Sequence, residues 1–176
     1  MDIEKKRKEI LFSREDIHKR VKELGQQIAA DYQGKKLLVV SLLKGSFIFT
    51  ADLVREIEAP VKIAFMATSS YGHETETTGQ VNILYDIQES IEGYDVLVVD
   101  DIADTGLTMK FVLDHLAKKK PASIKNCVLL DKPSRRKTLL EPDYVGYTIP
   151  DKFIVGYGLN YGDYYRNVPY VFAFVD

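Results

Sequence analysis

The sequence predicts an α/β domain, and three observations carry that prediction. Short apolar runs at residues 37–42 (LLVVSL) and 96–99 (VLVV) are bounded by turn residues, as expected of strands buried on both faces. Residues 96–130 then read as strand, turn, helix, strand, the unit that builds parallel sheets through right-handed crossovers. Finally, 176 residues, 45% of them apolar and 28% charged, suit one domain spanning 1–176. A chain of that length buries roughly 70% of its unfolded surface and needs no disulfide or structural metal to do so.

The elements follow in order. Lys5, Lys6, Arg7 and Lys8 form a basic quartet bracketed by Glu4 and Glu9, expected to be a solvated terminus. Ser13 and Asp16 have capping-box spacing, and Ile17, Val21, Leu24 and Ile28 recur every three or four residues, the stripe of a helix facing a core. After the strand at 37–42, Lys44 and Gly45 break the run. Ser46 is then placed to cap a helix reaching about Glu56, ended by Pro60, and residues 61–67 (VKIAFMA) read as a strand. Residues 68–80 (TSSYGHETETTGQ) are polar, hold two glycines and carry no helical stripe, so a long surface loop or mobile ribbon is expected. Residues 81–85 are extended, and 96–99 form a buried strand ending in Asp100 and Asp101. Leu107, Phe111, Leu113 and Leu116 give helical spacing up to Lys119 and Pro121, and 124–130 (IKNCVLL) is another strand. Residues 144–176 are aromatic-rich, with short extended runs FIVGYG and YVFAFV.

Whole-chain properties exclude several classes of protein. A net charge of -2 gives no global basic field, so no extended nucleic-acid partner is expected. No apolar run approaches the ~20 residues of a membrane helix, and the first ten residues lack a signal-peptide apolar core, so a cytoplasmic protein with no membrane partner is expected. The single cysteine, Cys127, excludes a multi-cysteine zinc site and reads as a buried strand residue. His18, His73 and His115 show no metal-ligand spacing.

The chemistry concentrates in VLVVDDIADTGLTM, residues 96–109. In an open parallel sheet, ligands bind beyond the carboxyl ends of the strands, and Asp100, Asp101 and Asp104 stand there. Thr105, Gly106 and Thr108 follow at a helix N-terminus, whose free N–H groups and partial positive charge make a phosphate cradle. Carboxylates beside a phosphate repel it unless something separates the charges. Ribose hydroxyls and a Mg²⁺ ion are the natural separators.

From these residues outward the chain resembles the type I phosphoribosyltransferases, which use 5-phosphoribosyl 1-pyrophosphate (PRPP), and within them the purine-using branch that takes hypoxanthine and guanine. The resemblance runs from about Leu37 to Tyr170 through SLLKGSFIFTADL, VVDDIADTGLT, LLDKPSRR and IPDKFIVGYGLNYGDYYRN. It implies a mostly parallel central sheet flanked by helices, with a small hood. It also implies purine salvage, giving IMP or GMP and pyrophosphate, by a homodimer or homotetramer.

Carried over by position, the resemblance implies that Asp104 exchanges a proton with purine N7. Thr105, Gly106, Leu107 and Thr108 would hold the 5'-phosphate, and Asp100 and Asp101 the ribose diol and the PRPP-bound Mg²⁺. Lys44 and Gly45, joined by a cis peptide bond, would contact pyrophosphate together with Arg166. Lys132 would donate to purine O6 and Phe153 would stack on the base. Main-chain groups of Lys152 and Ile154, and the segment near Asn160, would read the ring edge. Ser70 and Tyr71 would belong to a closing lid of roughly residues 69–80. Read alone, Lys44 is an exposed loop lysine, Arg166 a surface arginine, and Phe153 and Ile154 core residues.

This chain departs from the family pattern at two positions. Asp100 stands where the family usually has Glu, one methylene longer, so its reach to the ribose would run through water. Asn160 stands where Asp usually serves a second metal site, which predicts weaker metal binding there. Two other readings of the segment fit less well. A nucleic-acid-binding regulator on the same fold predicts a basic, aromatic-interleaved face, which is missing. A signalling receiver domain predicts its acidic pair near the domain start, not at residues 100 and 101.

Overall fold

In the computed structural model, which describes residues 6–70 and 80–175, the apolar runs form the centre of a six-stranded sheet. Its strands are β2 (Leu37–Leu43), β3 (Val61–Ser70), β4 (Val81–Tyr85), β5 (Asp95–Ala103), β6 (Ser123–Asp131) and β7 (Tyr144–Thr148). They lie in the order β4-β3-β2-β5-β6-β7, all parallel except the edge strand β4. Side chains alternate along each strand, so each face receives its own core. Val39, Leu97, Val99 and Leu129 point to one face, where α1 (Arg14–Asp31) contributes Ile17, Val21, Leu24 and Ile28 and α2 (Phe47–Arg55) contributes Phe49 and Leu53. Val40, Val96, Val98 and Val128 point to the other, under Met109, Val112 and Leu116 of α3 (Leu107–Ala117). Full burial of each such side chain is worth about 1.5–3 kcal/mol.

A second, three-stranded antiparallel sheet forms the hood: β1 (Arg7–Phe12), β9 (Val171–Val175) and β8 (Ile154–Val155), with β9 in the middle. Lys6, Arg7 and Lys8 of the basic quartet are exposed, as expected of a solvated segment, but Arg7 and Lys8 belong to an edge strand rather than a bare terminus. Arg7 and Lys8 pair with Val175 and Phe174, and Lys8 Nζ lies 5.2 Å over the rings of both Tyr165 and Phe172. Such cation–π contacts join lysine to aromatic faces supplied by the far end of the chain, so no local pattern signals them.

Three local expectations also change. The Ser13–Asp16 capping box forms as expected, but Ser46 makes no capping bond. Its Oγ donates to Leu42 O at 2.5 Å and lies 2.8 Å from Ser41 Oγ, tying the helix start back to the end of β2. The polar stretch 68–80 begins as strand, because β3 runs to Ser70 and pairs Thr68 with Ile83 and Ser69 with Asn82. Residues 71–79 of the expected lid, Tyr71 and His73 among them, lie outside the described residues. Lastly, β5 continues past Asp100 and Asp101 to Ala103, still paired with β6 at Asp131.

Candidate active site

Parallel strands deliver their carboxyl ends to one edge, and register decides what meets there. Ser41 of β2 aligns with Val99 of β5, and Ala103 of β5 with Asp131 of β6. The residues after these positions are Lys44 and Gly45, Asp104 to Thr108, and Lys132. Segments separated by about sixty and thirty residues in the chain thus share one edge.

The turn expected to cradle phosphate has the strand, turn and helix form that the sequence predicts. β5 ends at Ala103 and α3 starts at Leu107, with Gly106 between them at φ +83, a left-handed conformation that favours glycine. A Cβ there would also stand 2.9 Å from Arg136 Cδ and 3.0 Å from Thr138 Cγ2. Thr105 Oγ1 accepts from the Leu107 N–H at 3.4 Å, a long contact at the start of a helix whose free N–H groups can receive an anion. The resulting concavity, about 220 Å³, is lined by Asp100, Asp101, Asp104, Thr105, Gly106 and Thr108.

Asp104 Oδ1 is buried with no hydrogen-bond partner among the described residues. A buried carboxylate oxygen without a partner is costly, so it marks a place where a donor from a ligand is expected. Burial, reinforced by the charge of Asp101, pushes the Asp100 carboxyl well above the usual carboxylate range. Burial also raises Asp101, although Arg166 nearby favours its ionised form. Two hard oxygen donors pressed together in this way fit a hard cation such as Mg²⁺, which takes one or two carboxylates and completes its shell with water and phosphate oxygens. No group of three or more His, Cys, Asp or Glu that could hold a metal occurs among the described residues.

Gly45 packs directly on Asp101 and also meets the hood. A Cβ placed on Gly158 would stand 2.2 Å from Gly45 O, and Arg166 Nη1 donates to Gly158 O at 2.7 Å. The 44–45 turn is therefore held between the acidic pair and the arginine. The cis bond lies between Leu43 and Lys44, one residue before the expected Lys44–Gly45 bond. A larger cleft of about 430 Å³, which includes Arg14, His18, Asp52, Arg55 and Tyr157 in its lining, is less suited to chemistry. Its Asp52 is already satisfied by Tyr157 Oη and Arg55 Nη2, each at 2.5 Å.

A phosphoribosyl transferase domain model matches residues 9–162. The chain belongs to the phosphoribosyltransferase family. A relative from Aquifex aeolicus (strain VF5), named hypoxanthine-guanine phosphoribosyltransferase, is 49% identical over 176 residues and covers 99% of each chain. One of the same name from Bacillus subtilis (strain 168) is 45% identical over 170 residues, 97% of this chain and 92% of that one. A crystal structure of a hypoxanthine phosphoribosyltransferase from Staphylococcus aureus matches with a TM-score of 0.92 at 48% identity, covering 95% of this chain and 91% of the other. The chain is a transferase with the type I phosphoribosyltransferase fold.

The remaining family positions fall into two groups. Lys132 is 5% exposed, and its Nζ lies 4.0 Å from Asp151 Oδ1, too long for a hydrogen bond. Phe153, which reads alone as a core residue, is instead 61% exposed and meets Tyr161 edge-on at 5.8 Å. Ile154 is buried. Lys152 donates its N–H to Pro150 O and its Nζ to Glu9 Oε2, so only its carbonyl is left to read a ring edge. Asn160 turns its Nδ2 to Gly162 O at 2.7 Å. The sequence reading missed Asp131, Arg136 and Gly158. The arginine pair in PSRR was the available signal, and the structure splits it, sending Arg135 to Asp151 and Arg136 to Asp104 and Asp131.

Proposed function

We propose that this chain transfers the 5-phosphoribosyl group of PRPP to N9 of hypoxanthine and/or guanine, releasing pyrophosphate and giving IMP or GMP, a purine-salvage reaction. The observation that carries this reading is the unpartnered buried Oδ1 of Asp104 at the head of the cradle. A purine bound with N7–H facing that oxygen satisfies it. As the C1–pyrophosphate bond breaks, positive charge develops on C1 and the ring oxygen. Asp104 takes the N7 proton, the N9 lone pair forms the new bond to C1, and the electrons of the broken bond leave with pyrophosphate. Lys44 and Arg166 stabilise that anion, Arg166 through its planar fork. The N–H groups of Thr105 to Thr108 hold the 5'-phosphate throughout.

Asp100 and Asp101 would hold Mg²⁺ together with PRPP. When bound, the ion neutralises charge on the leaving pyrophosphate. Lys132 donates to O6 and finds no acceptor on adenine, while Phe153 stacks on the base. The chain acts as one domain in the cytoplasm, with no nucleic-acid or membrane partner; among the described residues no helix is long and apolar enough to cross a membrane. A homodimer or homotetramer is proposed. The exposed Ile63 and Phe65 of β3 offer apolar surface for a second copy, and sedimentation analysis tests that assembly.

The deciding experiment is steady-state turnover with PRPP, Mg²⁺ and each of hypoxanthine, guanine, xanthine and adenine. Turnover of hypoxanthine or guanine, with adenine slower by about 10²-fold or more, is expected. No turnover of any purine overturns the reading.

A further inference from the structure

Three consecutive carbonyl oxygens of the turn between β5 and α3 are held by one neighbouring segment. The Lys132 N–H donates to Ala103 O at 2.9 Å, Arg136 Nη1 to Asp104 O at 2.9 Å, and the Lys137 N–H to Thr105 O at 2.8 Å. The outer two bonds are backbone to backbone, and the middle one depends on a side chain. That side chain is itself tethered, because Arg136 Nη2 donates to Asp131 Oδ1 at 2.5 Å, with the two side chains 14% and 11% exposed. Asp131 is fixed by its β6 pairing with Ala103, and its carbonyl accepts from the Ile149 N–H. The frame closes on itself, running from Asp131 through Arg136 to Asp104 and back through Ala103.

The peptide unit is planar and trans, so a carbonyl and the N–H that follows it point in opposite directions. Holding the carbonyls of residues 103–105 on one side therefore aims the N–H groups of Asp104, Thr105 and Gly106 to the other. For the Asp104–Thr105 unit, among the described residues, Arg136 does this. We infer that Arg136, anchored by Asp131, is a positioning residue: it sets the orientation of the Asp104–Thr105 peptide, and with it the Asp104 carboxyl. This inference rests on the transferase reading above. It also explains why Lys132 and Asp104 are mounted together, since the segment that carries the purine-facing ammonium is the one that holds the acid–base turn.

Arg136→Lys is the discriminating variant. A lysine ammonium is a point donor that keeps an ion pair with Asp131 but lacks the fork that reaches Asp104 O at the same time. Misplacement of a reacting group by about 1 Å costs up to about 10²-fold, so kcat is expected to fall about tenfold or more. The KM for hypoxanthine should move less than kcat. The second arm is a cycle with Asp104→Asn. If Arg136 acts through Asp104, adding Arg136→Lys to Asp104→Asn costs less than about twofold further, whereas a separate role multiplies the two losses. Should Arg136→Lys melt below the assay temperature, Asp131→Asn takes its place in both arms, because it leaves Arg136 present and unanchored.

Wild-type turnover separates this inference from the reading beneath it. A wild type that turns over no purine overturns the transferase reading. An active wild type overturns the inference alone if the variant keeps kcat within twofold, or if the two losses multiply.

Discussion

Gly45 lies so close to Asp101 that a Cβ on it would stand 1.9 Å from Asp101 Oδ2 and 2.8 Å from its Cγ. The backbone at Gly45 is not in the left-handed region, so a side chain is excluded by the carboxylate alone. Gly45→Ala is expected to displace Asp101 rather than unfold the chain. The KM for PRPP should rise about tenfold or more, while the melting temperature moves by no more than about 4 °C. A variant with unchanged PRPP kinetics would show that the Asp101 position is irrelevant to that substrate.

Asp104 offers a cleaner separation of chemistry from binding. Asp104 lines the cradle and its Oδ1 has no partner among the described residues, while the cradle N–H groups belong to the backbone, which Asp104→Asn leaves in place. Turnover is expected to fall about 10²-fold or more, the contribution of a positioned acid–base group, with KM for PRPP within about threefold. Full activity in this variant would remove Asp104 from the proton transfer.

The legible and illegible parts of this protein divide along chain separation. The strand, acidic pair and helix start at 96–109 were readable because every ligand group there is consecutive, and backbone geometry alone turns that run into a cradle. The parallel centre was readable because strands buried on both faces lose their polar alternation. Lys44, Phe153 and Arg166 were placed only through the family resemblance, since the registers that gather them leave no trace in local spacing. β1 was invisible for the same reason, its partner β9 lying at the other end of the chain. Arg136 was missed because it grips a backbone carbonyl, a target that every residue type offers.

Phe153 and Ile154 are adjacent yet should respond in opposite ways. Phe153 is exposed with an edge contact to Tyr161, so Phe153→Ala should change stability by no more than about 0.5 kcal/mol. Base–aromatic stacking is worth about 1–3 kcal/mol, so the hypoxanthine KM should rise about fivefold or more. Ile154 is buried in the hood sheet, and Ile154→Ala should cost about 2–5 kcal/mol in urea unfolding. Equal stability losses in the two variants would place Phe153 in the core instead of at the base.

Asp86, just beyond β4, ties that edge strand to α3. Its Oδ2 lies 2.8 Å from His115 Nε2 and accepts from Lys119 Nζ at 3.2 Å, while its Oδ1 accepts from the Ile87 N–H. Burial alone would raise this carboxyl, but the hydrogen bonds from His115, Ile87 and Lys119 outweigh it and hold it below the usual carboxylate range. A carboxyl depressed by folding stabilises the native state above its unfolded value, near 3.9, and that contribution disappears as pH falls through the lower folded value. The group is partly exposed, so Asp86→Asn should cost no more than about 1 kcal/mol at pH 7. Urea unfolding of both proteins at pH 7, 5, 4 and 3 should show the gap holding down to about pH 4 and narrowing below it. A gap that widens below pH 4 would mean that the stabilising form of Asp86 is the protonated one, contrary to the hydrogen bonds that surround it.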